Sequence, residues 1–94
     1  MAVQDYTDIF KQVGAKYGID PNLLAAVVQQ ESGGNPNAVG PKTKAGVARG
    51  LAGILDSTAS AAGVNSGDPA QAIDYLGRTL AANIKQHGDL PMPL

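Results

Sequence analysis

The chain has no cysteine and no tryptophan, and only one histidine, one phenylalanine and one glutamate. Without cysteine there are no disulfides and no thiolate-based zinc or nucleophile sites, and a lone His87 cannot supply a histidine-rich metal centre. No metal and no cofactor is therefore expected, and any chemistry falls to carboxylates. Charge is scarce and balanced: seven basic against eight acidic residues leave a net charge of -1. No stripe of Lys or Arg could neutralise successive phosphates, which argues against nucleic acid as a partner. No apolar run approaches the roughly twenty residues of a membrane span, so no integral membrane segment is expected. The opening Met1-Ala2-Val3-Gln4-Asp5 lacks the basic-then-apolar pattern of a signal peptide, so passage out of a cell would need another route or a larger parent protein. What remains is a globular composition, 44% hydrophobic with 12 Gly and 6 Pro. One domain over residues 1–94, built from helices separated by turns, follows from that length and content.

Helical spacing governs the order of elements. Asp5 is a candidate N-cap, and Tyr6, Ile9, Phe10, Val13 and Tyr17 recur on one face until Gly18. Asp20 and Pro21 then open a second helix of about three turns that the Gly33-Gly34 pair ends. From Gly33 to Gly50 the chain reads as a long loop, with five Gly, two Pro and two Asn. Leu51 to Leu55 reads as one helical turn, followed by a short helix capped by Asp56 or Ser57 and closed by Gly63. Asp68-Pro69 opens a long last helix that runs to Gly88, with Ile73, Leu76, Leu80, Ile84 and His87 on its buried stripe. His87 in its last turn reads as a favourable charge at the helix end. The expected core is Phe10, Val13, Leu24, Val27, Val28, Ile54, Ile73, Leu76, Leu80 and Ile84.

The second helix carries the residue of most interest. Leu24, Val27, Val28 and Glu31 stand at i, i+3, i+4 and i+7, so the chain's single glutamate ends an otherwise apolar stripe. A carboxylate there meets the negative end of the helix dipole and an apolar surround, and both favour its protonated form. A carboxyl group that keeps its proton is what a general acid needs to protonate a leaving oxygen. The plainer alternative is that Glu31 extends into solvent from the last turn.

An ordered series of short motifs links these pieces. Tyr17-Gly18-Ile19-Asp20-Pro21 to Leu24, Gln30-Glu31-Ser32-Gly33, Asn35-Pro36-Asn37-Ala38-Val39, Gly50-Leu51 and Ser57-Thr58-Ala59 resemble, in that order, the soluble lytic transglycosylase domain family. Asp68-Pro69 and Tyr75-Leu76 are similar to its later part. The resemblance covers roughly residues 15–90. It implies an all-α, lysozyme-like domain of four or more helices with no significant sheet. It also implies peptidoglycan as substrate, Glu31 as catalytic acid, and Ser32, Gly50, Leu51 and Gly53 as substrate-binding positions. In such enzymes one acid protonates the leaving oxygen and then, as carboxylate, takes the C6 hydroxyl proton, closing a 1,6-anhydro ring without water. A retaining hydrolase would need a second carboxylate about 5 Å away, so a lone buried-face glutamate suits the single-acid route. The site of action would be the cell wall or periplasm, reached through a phage, a secretion system or a larger parent protein.

The chain also departs from the family pattern. Gly50-Leu51-Ala52-Gly53 stands where the family usually continues Gly-Leu-Met-Gln, so Gly53 offers backbone in place of an amide side chain. Asp56 replaces a common Pro and reads as a helix cap or, less directly, as a second carboxylate. The loop bearing Lys42, Lys44 and Arg49 is longer than the pattern. The sequence stops before the usual Ala-Tyr-Asn-Ala-Gly segment, so a domain truncated on that side is expected. Two rival readings stand beside the enzyme. One is a catalytically weak or inactive peptidoglycan-binding or structural domain of a phage virion or secretion assembly. The other is a helical interaction module that docks through Ile73, Leu76, Leu80 and Ile84.

Overall fold

Left-handed glycines end the first three helices of this chain. The structure is a computed structural model describing residues 3–87, with side chains described from residue 5 to residue 84. After a 3-10 turn at Val3–Tyr6 come α1 (Thr7–Tyr17) and α2 (Pro21–Ser32), then α3 (Asp56–Ala62) and α4 (Pro69–His87). Gly18, Gly33 and Gly63 follow α1, α2 and α3 with φ of 68°, 65° and 68°. A residue with a Cβ adopts that conformation only at a cost. At the head of α2, Asp20 accepts a hydrogen bond from the Asn22 amide at 2.9 Å. Pro21 takes the first turn, where its missing N–H costs nothing. Asp68 does the same for α4, accepting from the Ala70 amide at 3.0 Å.

Two N-caps differ from the sequence reading. The residue preceding α1 is Tyr6, not Asp5, because a 3-10 turn intervenes. Neither Asp56 nor Ser57 caps α3: its N-cap is Leu55, and Asp56 stands in the first turn. There Asp56 accepts from Nε of Arg49 at 2.9 and 3.0 Å, an exposed ion pair.

Residues 51–55 also differ. They do not form a helical turn but the bend and second strand of a minute antiparallel hairpin, β1 (Ala48–Arg49) with β2 (Ile54–Leu55), paired Ala48 to Leu55 and Arg49 to Ile54. Gly50 and Gly53, with φ of 81° and 60°, make the reversal possible. Glycine reaches these angles without steric penalty. The Gly53 amide bonds back to the Gly50 carbonyl at 3.3 Å. The preceding loop is laid against this hairpin by Gly40 N to Ala48 O and Gly50 N to Ala38 O, both 2.9 Å. The fold is otherwise helical, as an all-α domain of at least four helices requires.

The core gathers Tyr6, Phe10, Val13, Ile19, Leu24, Val28, Leu51, Ile54, Ala59, Ala72, Ile73 and Leu76. Val27 and Leu80, expected inside, are half-buried and pack on its edge, and Ile84 is half-buried. Ile73 and Leu76 are spent on this core, so the last helix does not present the docking stripe that one reading required. α4 reaches α1 closely because position 77 is glycine: a Cβ there would strike Cγ1 of Val13. Across the same contact Lys16 donates to Asp74 Oδ1 at 2.9 Å, and the Tyr17 hydroxyl donates to the same carboxylate at 3.1 and 3.2 Å. Among the described residues no helix is long and apolar enough to cross a membrane. The side chain of His87 and the expected helix stop at Gly88 lie outside the described residues.

Candidate active site

Ser32 is the last residue of α2, and its hydroxyl is the joint on which the site is assembled. Its Oγ lies 3.1 Å from the Val28 carbonyl, a bond inside the helix, and 2.9 Å from the Leu51 carbonyl, a bond to the hairpin bend. It also accepts from the Gly34 amide at 3.2 Å. One hydroxyl proton serves the two carbonyls while the lone pairs serve the amide, so the end of α2 and the bend are tied together.

That tie brings Gly53 under Glu31. A Cβ at position 53 would lie 2.6 Å from Oε1 of Glu31 and 3.4 Å from its carboxyl carbon. The carboxylate therefore rests on backbone, in the space that any side chain at 53 would occupy. The glycine found where an amide side chain is the usual pattern is thus matched to this placement of the acid. Glu31 itself is exposed, in agreement with the plainer alternative of extension into solvent and against an apolar surround: the stripe through Leu24 and Val28 enters the core, but the last turn of α2 emerges from it. The helix end remains beside the acid, and with it the negative end of the dipole. Among the described residues the Glu31 carboxylate makes no hydrogen bond or ion pair, so neither oxygen is committed.

Gly53 lines a cavity of about 240 Å³ together with Ala52, Leu55, Thr58, Tyr75 and Thr79. Thr58, Tyr75 and Thr79 also line an adjoining cavity of about 540 Å³, with Ser57, Arg78 and small alanines. The two share Thr58, Tyr75 and Thr79 and form one groove beside α3 and α4 that takes in Gly53. Tyr75 lines both parts of it, half-buried, with the Arg78 guanidinium 5.2 Å from the ring centre. Such a ring edged by hydroxyls suits a sugar, which offers both apolar C–H faces and hydroxyl edges.

The other expected site residues have different positions. Leu51 is fully buried, so its side chain belongs to the core and only its carbonyl meets Ser32. Gly50 is buried as well, and a Cβ there would strike the Ser66 carbonyl. Ser32, Gly50 and Leu51 thus shape the bend, while Gly53 lines the groove and lies against Glu31. Asp56, read from the sequence as a helix cap or a second carboxylate, is paired with Arg49. Lys42 and Lys44 are exposed on the loop. Among the described residues no three His, Cys, Asp or Glu side chains gather to hold a metal ion. Sequence reasoning reads Thr58 only as part of the Ser57-Thr58-Ala59 motif and passes over Thr79, because their spacing has no chemical signature. Only the packing of α3 beside α4 makes them neighbours.

The family described as the transglycosylase SLT domain matches residues 8–93. A transglycosylase of Enterobacteria phage PRD1 is 42% identical over 78 residues, 81% of this chain and 28% of that protein. An endo-type membrane-bound lytic murein transglycosylase A of Salmonella paratyphi B is 46% identical over 39 residues, 42% of this chain and 19% of that protein. The same-named protein of Salmonella enteritidis PT4 matches to the same extent. The chain spans less than a third of the length of these relatives.

Proposed function

The chain belongs to the transglycosylase SLT domain family, and from that premise we propose that it is a peptidoglycan lytic transglycosylase with Glu31 as its single acid and base. The bond cleaved is the β-1,4 link between N-acetylmuramic acid and N-acetylglucosamine. Protonated Glu31 gives its proton to the glycosidic oxygen as that oxygen leaves C1, releasing the N-acetylglucosamine hydroxyl. The resulting carboxylate takes the proton of the muramic C6 hydroxyl while O6 bonds to C1. Glu31 ends protonated, as it began, and no water enters the balance. The observation that carries this reading is the Glu31 carboxylate, without a partner among the described residues, lying against Gly53, which itself lines the groove with Tyr75. Ser32, Gly50 and Leu51 act behind it by holding the bend. Action at the cell wall or periplasm follows from the substrate.

A second reading, a peptidoglycan-binding or structural domain of a virion or secretion assembly with little activity, draws on the same position. Gly53 offers only backbone where an amide side chain would reach the sugar. Purified peptidoglycan incubated with the chain and with Glu31→Gln separates them. Release of 1,6-anhydromuropeptides by the parent alone is the expected mass-spectrometric result. Reducing-end products would mean hydrolysis, and sacculus binding without release by either protein would favour the binding domain.

A further inference from the structure

On another side of the hairpin bend lies a cleft that the groove does not include. It has a volume of about 380 Å³ and is walled by Asn37 and Val39 on one loop and Asn65 and Ser66 on another, with Arg49 and Gly50 between them. That size falls within the usual range for small-ligand sites. Its walls are held from within. The Asn37 amide bonds to Asn35 Oδ1 at 2.9 Å, the Gly67 amide to Asn65 Oδ1 at 3.0 Å and the Asn65 amide to Gln71 Oε1 at 3.0 Å. Gly50 presses against the Ser66 carbonyl, so the two loops meet directly at its base.

The lining has a definite chemistry. Arg49 spends only Nε on Asp56, and among the described residues its four Nη hydrogens have no partner. That end of a guanidinium is a planar fork matched to a carboxylate. The carboxamide of Asn37 and the side-chain amide nitrogen of Asn65 are likewise uncommitted among the described residues, and a carboxamide pairs with peptide groups. Val39, 62% exposed, supplies an apolar contact beside them. A carboxylate, a peptide group and a small aliphatic side chain together describe the free end of a short peptide.

We propose that this cleft binds the carboxyl-terminal end of a peptidoglycan stem peptide, with Arg49 reading the carboxylate, Asn37 and Asn65 the peptide group, and Val39 the alanyl methyl. This rests on the reading of the chain as a peptidoglycan protein. It adds a peptide-reading site to a groove that handles sugar, so the chain would prefer strands whose stems end in a free carboxylate.

The test uses the full chain and two probes, N-acetyl-D-alanyl-D-alanine and its carboxyl-terminal amide, followed by amide and Arg Nε resonances in nitrogen-15 spectra. Shifts centred on Asn37, Arg49, Asn65 and Gly67 with the acid, at least tenfold weaker with the amide, are expected. Arg49→Gln should abolish them, while Lys42→Gln and Lys44→Gln, which alter exposed cations nearby, should leave them within twofold. Glu31→Gln should bind as the parent does, which separates this site from catalysis: peptide binding without bond cleavage would sink the enzymatic reading only. Equal response to acid and amide, or equal loss in the lysine variants, would overturn the cleft as a carboxylate reader. No localised shift with either probe would overturn it entirely.

Discussion

Glu31 and Gly53 occupy one another's space: the carboxylate of the first lies where the side chain of the second would be. The acid, at the end of α2, and Gly53, in the bend of the hairpin, are twenty-two positions apart and meet where Ser32 bonds to Leu51. This pairing makes the acid's position sensitive to residue 53.

Gly53→Ala should therefore displace Glu31 while leaving the helices intact. The backbone at position 53 is left-handed, with φ of 60°. A Cβ in that conformation adds a strain of about 1–2 kcal/mol. A lower melting temperature, unchanged helical circular dichroism and at least a tenfold loss of anhydromuropeptide release are expected. Parent-level turnover in this variant would show that the contact is immaterial to the chemistry.

Ser32→Ala removes the hydroxyl that joins α2 to the bend and leaves the Leu51 carbonyl without that donor. A buried acceptor left unsatisfied costs about 1–3 kcal/mol. The stability change should appear in urea denaturation, and turnover should fall even where the variant is fully folded. Ser32→Thr, which keeps the hydroxyl, should recover part of both, whereas equal loss in both variants would argue for crowding at this position.

In the core, Leu24 and Leu51 are both fully buried. Leu24→Ala and Leu51→Ala should each cost about 2–5 kcal/mol, the range for emptying such sites. Leu80→Ala should cost less, since Leu80 only edges the cluster. Denaturation midpoints in the order Leu80→Ala above Leu24→Ala test the burial; the reverse order would contradict the packing described.

The contact between α1 and α4 has a pH signature. Partial burial pushes the Asp74 carboxyl up, but hydrogen bonds from Lys16 and Tyr17 and the nearby positive charges outweigh it and hold it below its ordinary 3.8. Hydrogen bonding to Asp74 holds Lys16 above 10.5. A carboxylate lowered in the folded state contributes stability that is present above 3.8 and lost as pH falls through the folded value. A raised lysine contributes stability present below 10.5 and lost as pH climbs through its folded value. Asp74→Asn should thus flatten the acid limb of the stability profile and Lys16→Met the alkaline limb, each modestly because the pair is partly solvated and screened by salt. An acid limb unchanged in Asp74→Asn would place the responsible carboxylate elsewhere.

Local rules fix many of the boundaries in this protein. Asp20-Pro21, Asp68-Pro69 and the glycines at 18, 33 and 63 punctuate helices through hydrogen bonds and backbone angles that depend only on near neighbours, so those boundaries are legible in the sequence. Leu24, Val28, Ile73 and Leu76 are legible as core because helical spacing puts them on one face. The same spacing leaves Glu31 open between an apolar surround and solvent, since periodicity gives a direction around the helix but not where the helix leaves the core. It misjudges 51–55, where the chain forms not a helical turn but the bend and second strand of a hairpin. The choice there is made by distant partners: Val47, whose carbonyl takes the Asp56 amide at 3.0 Å, and Ser32, whose hydroxyl reaches Leu51. The sequence alone determined that one glutamate sits at a helix end in a transglycosylase-like series of motifs. Tertiary structure decided that this glutamate lies on Gly53 beside the groove of Tyr75, Thr58 and Thr79, because those positions converge only when α2, the bend, α3 and α4 pack together.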